Sequence, residues 1–158
     1  MLTLRRGVVG VALVLLVNGV ALAQTASGES ATIAALRVKA NAGDASSQWV
    51  LGVAYQLGNA LPQDYAQAVA WYRQAADQGN AIAQFNLGIA YANGRGVPQD
   101  YVEAHKWHNL AASRASAEDR EQYAEARDRV ANLMTPAQIA DAQKLAREWQ
   151  AAFDARQE

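Results

Sequence analysis

The residues best suited to chemistry are two histidines, His105 and His108, which lie three positions apart in a segment with helical character. Two imidazoles on one helical turn can bind a metal ion, and Glu103 is close enough along the chain to be a third ligand. Both histidines nevertheless occupy ordinary positions of the repeat described below, where they replace Val69 and Tyr72. We therefore expect no metal site and predict that both imidazoles are exposed or half-buried on a helix.

The sequence contains no recognisable arrangement for covalent or hydrolytic catalysis. A serine nucleophile needs a base held beside it, and neither G-x-S-x-G nor S-x-x-K occurs. The absence of cysteine excludes a thiol nucleophile, a disulfide framework, zinc ribbons and iron–sulfur clusters. Acidic residues that could form a glycosidase pair lie at predicted helix caps, Asp64 and Asp100, or on the charged C-terminal segment. We expect a protein that is not an enzyme and has no cofactor.

Composition excludes two further ligand classes. The chain has 158 residues, 51% hydrophobic and 18% charged, as in a globular domain, and a formal net charge of -1. Within residues 44–112 the only basic residues are Arg73, Arg95 and Lys106, too few to neutralise a nucleic acid. Gly94-Arg95-Gly96 lacks the lysine and the preceding strand of a phosphate-binding loop, so a turn between helices explains it better.

An internal repeat with a period of 36 residues predicts the fold. The first copy contains Gln48, Leu51, Gly52, Tyr55, Gly58, Pro62, Gln63, Asp64, Tyr65, Ala68, Trp71, Ala75 and Ala76. The second copy contains Gln84, Leu87, Gly88, Tyr91, Gly94, Pro98, Gln99, Asp100, Tyr101, Ala104, Trp107, Ala111 and Ala112. A period in this range is typical of a solenoid of stacked supersecondary units.

Each copy predicts two helices joined by a turn. Residues 45–57 carry apolar and small side chains at helical spacing on two faces, as expected of an inner helix contacted from both sides. Glycines of the turn tolerate a positive φ, and the following proline cannot extend the first helix. Asp64 and Asp100 are suitable N-caps for the second helices.

The recurrence of Gly52 and Gly88 in the middle of the first helices predicts close packing. Glycine in a helix costs about 1 kcal/mol relative to alanine, so a neighbouring backbone or aromatic ring is expected there. We predict that Trp71 and Trp107 of the second helices are largely buried against these glycine positions.

These motifs resemble the Sel-one-like repeat (SLR) family, whose pattern is L-G-x-x-Y, then G-x-G-V-x-x-D, then A-x-x-W-x-x-A-A. The second copy matches almost throughout, whereas the first has Asn59-Ala60-Leu61 in its turn, which predicts an altered turn. The resemblance implies an all-α fold, an α/α solenoid or superhelix of helix-turn-helix repeats related to tetratricopeptide arrays. It also implies a role as a protein-interaction scaffold.

The flanking segments complete a predicted solenoid of about seven helices. Thr135-Pro136-Ala137-Gln138 is a helix start with proline at its first position, and the family often ends with such a segment. The predicted organisation is a signal peptide at 1–23, a linker and degenerate half-repeat at 24–43, SLR repeats at 44–79 and 80–115, and a C-terminal capping helix pair at 116–158.

Residues 1–23 have the features of a secretory signal. Arg5 and Arg6 precede an apolar run from Val8 to Val17, and Ala21-Leu22-Ala23 is an acceptable cleavage site. The alternative is an uncleaved N-terminal membrane anchor, although the run is short for a membrane span. We expect a bacterial protein that is periplasmic or secreted, with no membrane association after cleavage.

The concave side of such a superhelix is formed by the first helices of the repeats. The candidate binding residues are Trp49, Val50, Val53, Gln56, Phe85, Asn86 and Ile89, with Ala92. For Trp49, Val53, Phe85 and Ile89 the alternative is burial in the core between repeats. Gln48 and Gln84 recur, which suits a structural hydrogen bond at least as well as ligand recognition.

We predict a non-enzymatic scaffold that binds a protein or peptide of the bacterial envelope. The alternative is a cell-wall glycan-binding module, because the repeats are rich in aromatic residues and poor in charge. A groove of this kind suits a helix or an extended peptide, which favours protein.

Overall fold

The computed structural model describes residues 30–158. The described chain forms α-helices α1 (Ala31–Asn41), α2 (Ala45–Leu57), α3 (Tyr65–Asp77), α4 (Ala81–Asn93), α5 (Tyr101–Arg114), α6 (Arg120–Ala131) and α7 (Pro136–Asp154). The predicted all-α fold is confirmed. The predicted signal peptide, residues 1–23, lies outside the described residues.

Consecutive helices from α1 to α6 pack against one another, which makes the molecule an α/α solenoid. The last helix departs from this order, because α6 and α7 both pack against α5. Trp149 of α7 donates from Nε1 to Asp77 Oδ1 at 3.4 Å, and Arg156 donates to the Asp77 carbonyl oxygen at 3.3 Å. The helix α7 therefore crosses α5 and reaches the end of α3 in the preceding repeat.

Caps define the helix boundaries. Asp64 accepts a hydrogen bond from the Gln67 amide, and Asp100 accepts from the amides of Val102 and Glu103, as the sequence predicted. Thr135 forms a capping box with Gln138 ahead of Pro136 at the start of α7. These contacts satisfy amide groups that the first helical turn leaves without a partner.

The turn of the first repeat contains one residue in the left-handed conformation, although its sequence differs from that of the turn in the second repeat. Ala60 has φ +64° where the equivalent Gly96 has φ +75°. A side chain on Gly96 would collide with the Tyr65 carbonyl at the start of α3, so only glycine fits at the junction of the two repeats. Ala60 keeps the same conformation at a conformational cost.

The core is built from small side chains, with Ala68, Ala75, Leu51 and Leu87 almost inaccessible to solvent. Close approach of the helices depends on these residues and on the mid-helix glycines. Such contacts hold the first and second helices of each repeat at a short separation.

The glycine positions contact different rings from those predicted. Gly52 faces Tyr72, and Gly88 faces His108. Trp107 is buried as expected, whereas Trp71 is only half-buried. The prediction of tryptophan against glycine was wrong by one position on the helix, because the ring that points at the first helix follows the tryptophan in sequence.

The recurring glutamines make structural hydrogen bonds between helices. Gln48 Nε2 donates to the Ala40 carbonyl at 3.0 Å, and Gln84 Nε2 donates to the Ala76 carbonyl at 3.1 Å. Both side chains are buried. Each one ties the first helix of a repeat to the end of the preceding helix.

Candidate functional site

Two depressions occupy the same place in successive repeats. Each is bounded by the first and second helices of one repeat and by the next helix in the stack. The shared positions, 36 residues apart, are Gln56 and Ala92, Tyr65 and Tyr101, Tyr72 and His108, and Ala90 and Ala126. We refer to the one containing Gln56 and Tyr72 as the inter-repeat cleft, and to the one containing Ala92 and His108 as the second-repeat groove.

The inter-repeat cleft is nearly filled by its own side chains. The Tyr72 hydroxyl donates to Gln56 Oε1 at 2.8 Å, and the remaining volume is about 20 Å³. Burial raises the pKa of Tyr72 to about 12, and the phenol is protonated at pH 7 and donates this hydrogen bond. This pair leaves no room for a ligand of any size.

The second-repeat groove is open, with a volume of about 370 Å³. His108 stands in place of the tyrosine and Ala92 in place of the glutamine, so both members of the filling pair are smaller. The groove is lined by Phe85, Ile89, Ala92, Asn93, Gln99, Tyr101, His108, Ala126, Arg129, Val130 and Leu133.

His108 is the buried polar group of this groove. The residue is 2% exposed, and neither ring nitrogen is accessible to solvent or makes a hydrogen bond of good geometry with a described residue, although the backbone groups of Phe85 and Ala126 lie close to the ring. Its ring centroid lies 5.4 Å from that of Phe85. Burial, and to a lesser extent the nearby His105 and Arg129, lowers the pKa of His108 to about 4. The imidazole is therefore neutral at pH 7.

His105 is also buried, at 3% exposure, and burial lowers its pKa as well. The expectation that both histidines are exposed or half-buried was wrong, since His108 packs against Gly88 and Phe85 of α4 and His105 is covered to the same extent. No group of three or more metal-ligating side chains is present among residues 30–158.

Charge at the groove is sparse. Of the described residues that line it, Arg129 alone is charged, and this side chain lies 3.6 Å from Glu125 on the exposed surface of α6. Apolar and amide groups form the rest of the lining. Binding there would depend on apolar burial and hydrogen bonding rather than on charge.

The predicted binding residues lie in different places. Phe85 and Ile89 line the second-repeat groove, together with Ala92. Gln56 and Asn86 line the inter-repeat cleft, which Ile89 also borders.

The other three candidates lie away from both depressions. Val50 borders a separate depression of about 490 Å³ between α1 and α2. Trp49 and Val53 pack against the core, in line with the core alternative for these two residues.

Sequence reasoning missed the contribution of α5 and α6 to the groove. His108, Tyr101, Arg129, Val130 and Leu133 were not among the predicted binding residues. One signal was present in the repeat itself, because the Gln56–Tyr72 pair is replaced by Ala92 and His108 at the same offset. Comparison of the two copies position by position would have indicated a void.

A membrane-crossing helix is not found in residues 30–158, where each helix is too short or too polar to span a bilayer. This statement does not extend to the residues before position 30.

The repeats of the chain match a known repeat family. The family model described as Sel1 repeat matches residues 45–80 and again residues 81–116. No curated protein matches the chain.

Two solved structures are similar to it. One is a protective antigen present in uropathogenic Escherichia coli strains and displaying an SLR fold. The two sequences are 32% identical, and the structures superpose with a TM-score of 0.69. The match covers 74% of this chain and 24% of the antigen. The other is a Sel1 repeat protein from Oxalobacter formigenes with 41% identity, 57% and 26% coverage and a TM-score of 0.53. The chain thus spans about a quarter of the length of either protein.

Proposed function

Since the chain is a Sel1-repeat protein with the SLR solenoid fold, we propose that it is an exported scaffold that binds a segment of another protein in its second-repeat groove. Sel1 repeats form helical scaffolds that generally mediate protein interactions and are typically not catalytic. The role in a bacterial envelope and the location of the binding site are the specific parts of this proposal.

The observation that carries the proposal is the difference between the two equivalent depressions. The inter-repeat cleft retains about 20 Å³, whereas the second-repeat groove has about 370 Å³ with an apolar and amide lining. That volume accommodates one or two side chains of a partner rather than a whole domain. A short helix or extended segment lying along α4 and α6 would insert them there.

The ring contacts favour protein over cell-wall glycan. A sugar ring needs a free aromatic face on which to stack, but Phe85 of the groove is stacked on Tyr123 with centroids 4.2 Å apart and also contacts His108, which leaves Tyr101 as the one other aromatic ring among the described residues of the lining. Trp149 and Phe153 stack on each other at 5.1 Å, and Arg114 lies 4.8 Å from the centroid of Trp149. The faces of these rings are therefore in contact with other side chains of the same protein.

Export is supported by the sequence of residues 1–23, with its two arginines, apolar run and small-x-small cleavage site. Mass spectrometry of the protein isolated from cells tests it. We expect a soluble periplasmic or secreted form beginning at Gln24. A form that begins at Met1 in the membrane fraction would favour the anchor.

Binding is tested by affinity capture from an envelope extract with the wild-type protein and with Ala92→Arg, which places a long cation in the groove. The matched control is Ala70→Arg, on the exposed surface of α3. We expect the wild type and the control to capture a discrete protein and Ala92→Arg to lose it. Capture of purified peptidoglycan without protein would contradict the scaffold function. Equal capture by all three forms would contradict the choice of groove.

A further inference from the structure

Each end of the helical stack lacks one helix of a repeat. A complete repeat consists of a first and a second helix, α2 with α3 and α4 with α5. Helix α1 has the position of a second helix, and no first helix precedes it within residues 30–158. Helix α6 has the position of a first helix, and α7, which follows it, packs against α5 instead. The described stack therefore begins with a second helix and ends with a first helix.

At the beginning of the stack, a depression of about 490 Å³ lies where the first helix of the α1 repeat would pack. Leu36 of α1 lines it, 36 residues before Tyr72, the ring that faces the first helix in the next repeat. Val50 of α2 also lines it and is 40% exposed. We refer to this surface as the N-terminal depression. A first helix 36 residues before α2 would span residues 9–21, which belong to the predicted signal peptide and are absent from the exported form proposed above.

At the other end, a depression of about 270 Å³ lies where the second helix of the α6 repeat would pack. Ala124 of α6 lines it, 36 residues after Gly88, which faces the second helix of its own repeat. Its described lining comes from α5 and α6, including Ser113, and α7 does not contribute. We refer to this surface as the C-terminal depression.

The side chains of the two ends match in size. In a complete repeat, a glycine of the first helix faces a ring of the second helix, as Gly52 faces Tyr72. If α1 of a second copy followed α6 at the same offset, its Leu36 would lie opposite Ala124. The extra methyl group on the first helix is then compensated by a side chain smaller than tyrosine on the second.

The two ends also match in charge. Helix α1 contains two basic residues, Arg37 and Lys39, and no acidic residue, which gives a formal charge of +2. Residues 117–131, which include α6, contain five acidic and three basic residues, a formal charge of -2. Lys39 is exposed on the lining of the N-terminal depression. An α6 helix brings opposite charge to this surface, whereas a second α1 helix would bring like charge.

We propose that copies of this chain associate head to tail, with α6 of one copy in the N-terminal depression of the next. The same contact places α1 of the next copy in the C-terminal depression of the first, so that two chains together form one complete repeat and the solenoid continues. Because the two contacting surfaces differ, the interface is heterologous, and each assembly keeps one open surface at either end. No described residue of the second-repeat groove lines either depression, so this inference does not depend on the proposed binding site.

Analytical ultracentrifugation of the protein isolated from cells tests the inference, with one variant for each end. Val50→Arg places a long cation in the N-terminal depression, and Ala124→Arg places one in the C-terminal depression. We expect the average mass of the wild type to rise with concentration and each variant alone to remain monomeric. An equimolar mixture of the two variants should form a dimer, because Val50→Arg keeps an intact C-terminal end and Ala124→Arg keeps an intact N-terminal end.

Two further variants separate loss of contact from loss of folding. Ser113→Arg changes an exposed residue of the C-terminal depression and replaces Ala124→Arg if that variant does not fold. It should also be monomeric alone and form a dimer with Val50→Arg. The control Ala70→Arg, on the exposed surface of α3, should associate as the wild type does.

Four results would overturn the inference. A wild type that stays monomeric at every concentration would show that the ends do not associate. A dimer formed by Ala124→Arg alone would show that two N-terminal ends meet. A mixture of variants that stays monomeric although the wild type associates would exclude contact between opposite ends. A pure wild type that is monomeric, but that retains another protein from an envelope extract when Val50→Arg does not, would assign the N-terminal depression to a different partner.

Discussion

His108 is a neutral base in the core of a small repeat protein, and its burial makes stability depend on pH. The pKa of histidine in an unfolded chain is about 6.5, whereas in the folded protein that of His108 is about 4. Between these values the unfolded chain binds more protons, so acid favours unfolding. We expect the free energy of unfolding to fall on the order of 3 kcal/mol as the pH is lowered from about 6.5 to about 4.

The comparison of wild type with His108→Tyr in urea denaturation at pH 7, 5 and 4 isolates this effect. The variant has the residue that the first repeat uses at the same position, and it lacks the titrating imidazole. Its loss of stability in acid should be smaller by the amount attributed to His108. Parallel pH profiles for the two proteins would show that the imidazole does not control acid stability.

Ala60 carries a conformational strain that glycine would relieve. An L-residue in the left-handed region costs on the order of 1 kcal/mol relative to glycine, and Ala60 has φ +64°. We expect Ala60→Gly to raise the free energy of unfolding on the order of 1 kcal/mol, as measured by denaturant titration. The control is Ala66→Gly in helix α3, where the same change should destabilise. A lower stability for Ala60→Gly would contradict the assigned strain.

The two mid-helix glycines differ in how much their neighbouring ring can move. A methyl group on Gly52 would lie 2.5 Å from Tyr72 Cε1, in a cleft with almost no free volume. The same group on Gly88 would meet His108, which borders the open groove. We expect Gly52→Ala to destabilise by about 1–3 kcal/mol and Gly88→Ala by less, as measured by thermal unfolding. Gly88→Leu introduces a larger side chain and should be destabilising even if His108 can move. Equal melting temperatures for the two alanine variants would show that the groove does not accommodate movement of His108.

At the level of helices, the repeat predicted most of the fold. The 36-residue period, the aspartate caps and the proline at the start of α7 are local signals, and each was visible in the sequence. The position of α7 was not visible in the sequence, because an amphipathic stripe shows that a helix packs against a partner without showing which partner. Ala142, Ala146, Trp149 and Phe153 form that stripe, and the structure places it against α5 and the end of α3.

Burial of the histidines shows the limit of sequence reasoning at the candidate site. The exposure of His108 and His105 was predicted from the polarity of histidine. Their burial is determined instead by their positions in the repeat, which are those of the buried Tyr72 and Val69. The free volume of the groove also depends on two residues together. Ala92 leaves this space open only because the neighbouring His108 is smaller than the equivalent Tyr72. The groove could be anticipated from the two copies compared together but not from either copy alone.

Trp149 links the last helix to the repeats, and its removal should loosen α7 without opening the groove. Its ring lies 5.9 Å from Trp107 and 5.1 Å from Phe153, and Nε1 donates to Asp77. We expect Trp149→Ala to cost about 2–3 kcal/mol, somewhat less than a fully buried tryptophan. Hydrogen exchange should increase in α7 and at the end of α3.

The control for this variant is Lys144→Ala, which removes an exposed side chain of the same helix. It should leave the exchange pattern unchanged. Faster exchange throughout α4 and α6 in Trp149→Ala would contradict a local role for α7.

The whole molecule combines two repeats of the same fold, which differ at a pair of positions that controls the free volume beside the second helix. Repetition generates the stacked helices, the glutamine hydrogen bonds and the small-residue core. The substitution of one filling pair leaves a groove open on this scaffold, where we propose that a partner segment inserts a side chain. On this account, specificity arises from a departure from the repeat rather than from the repeat itself.

The most direct test of the groove is a map of amide chemical-shift changes in the isotope-labelled protein during titration with the captured partner segment. The account predicts that the largest changes occur at Phe85, Ile89, Ala92, His108 and Val130, with little change in α1 or α7. Changes concentrated between α1 and α2, around Val50, or on α7 would contradict binding in the second-repeat groove.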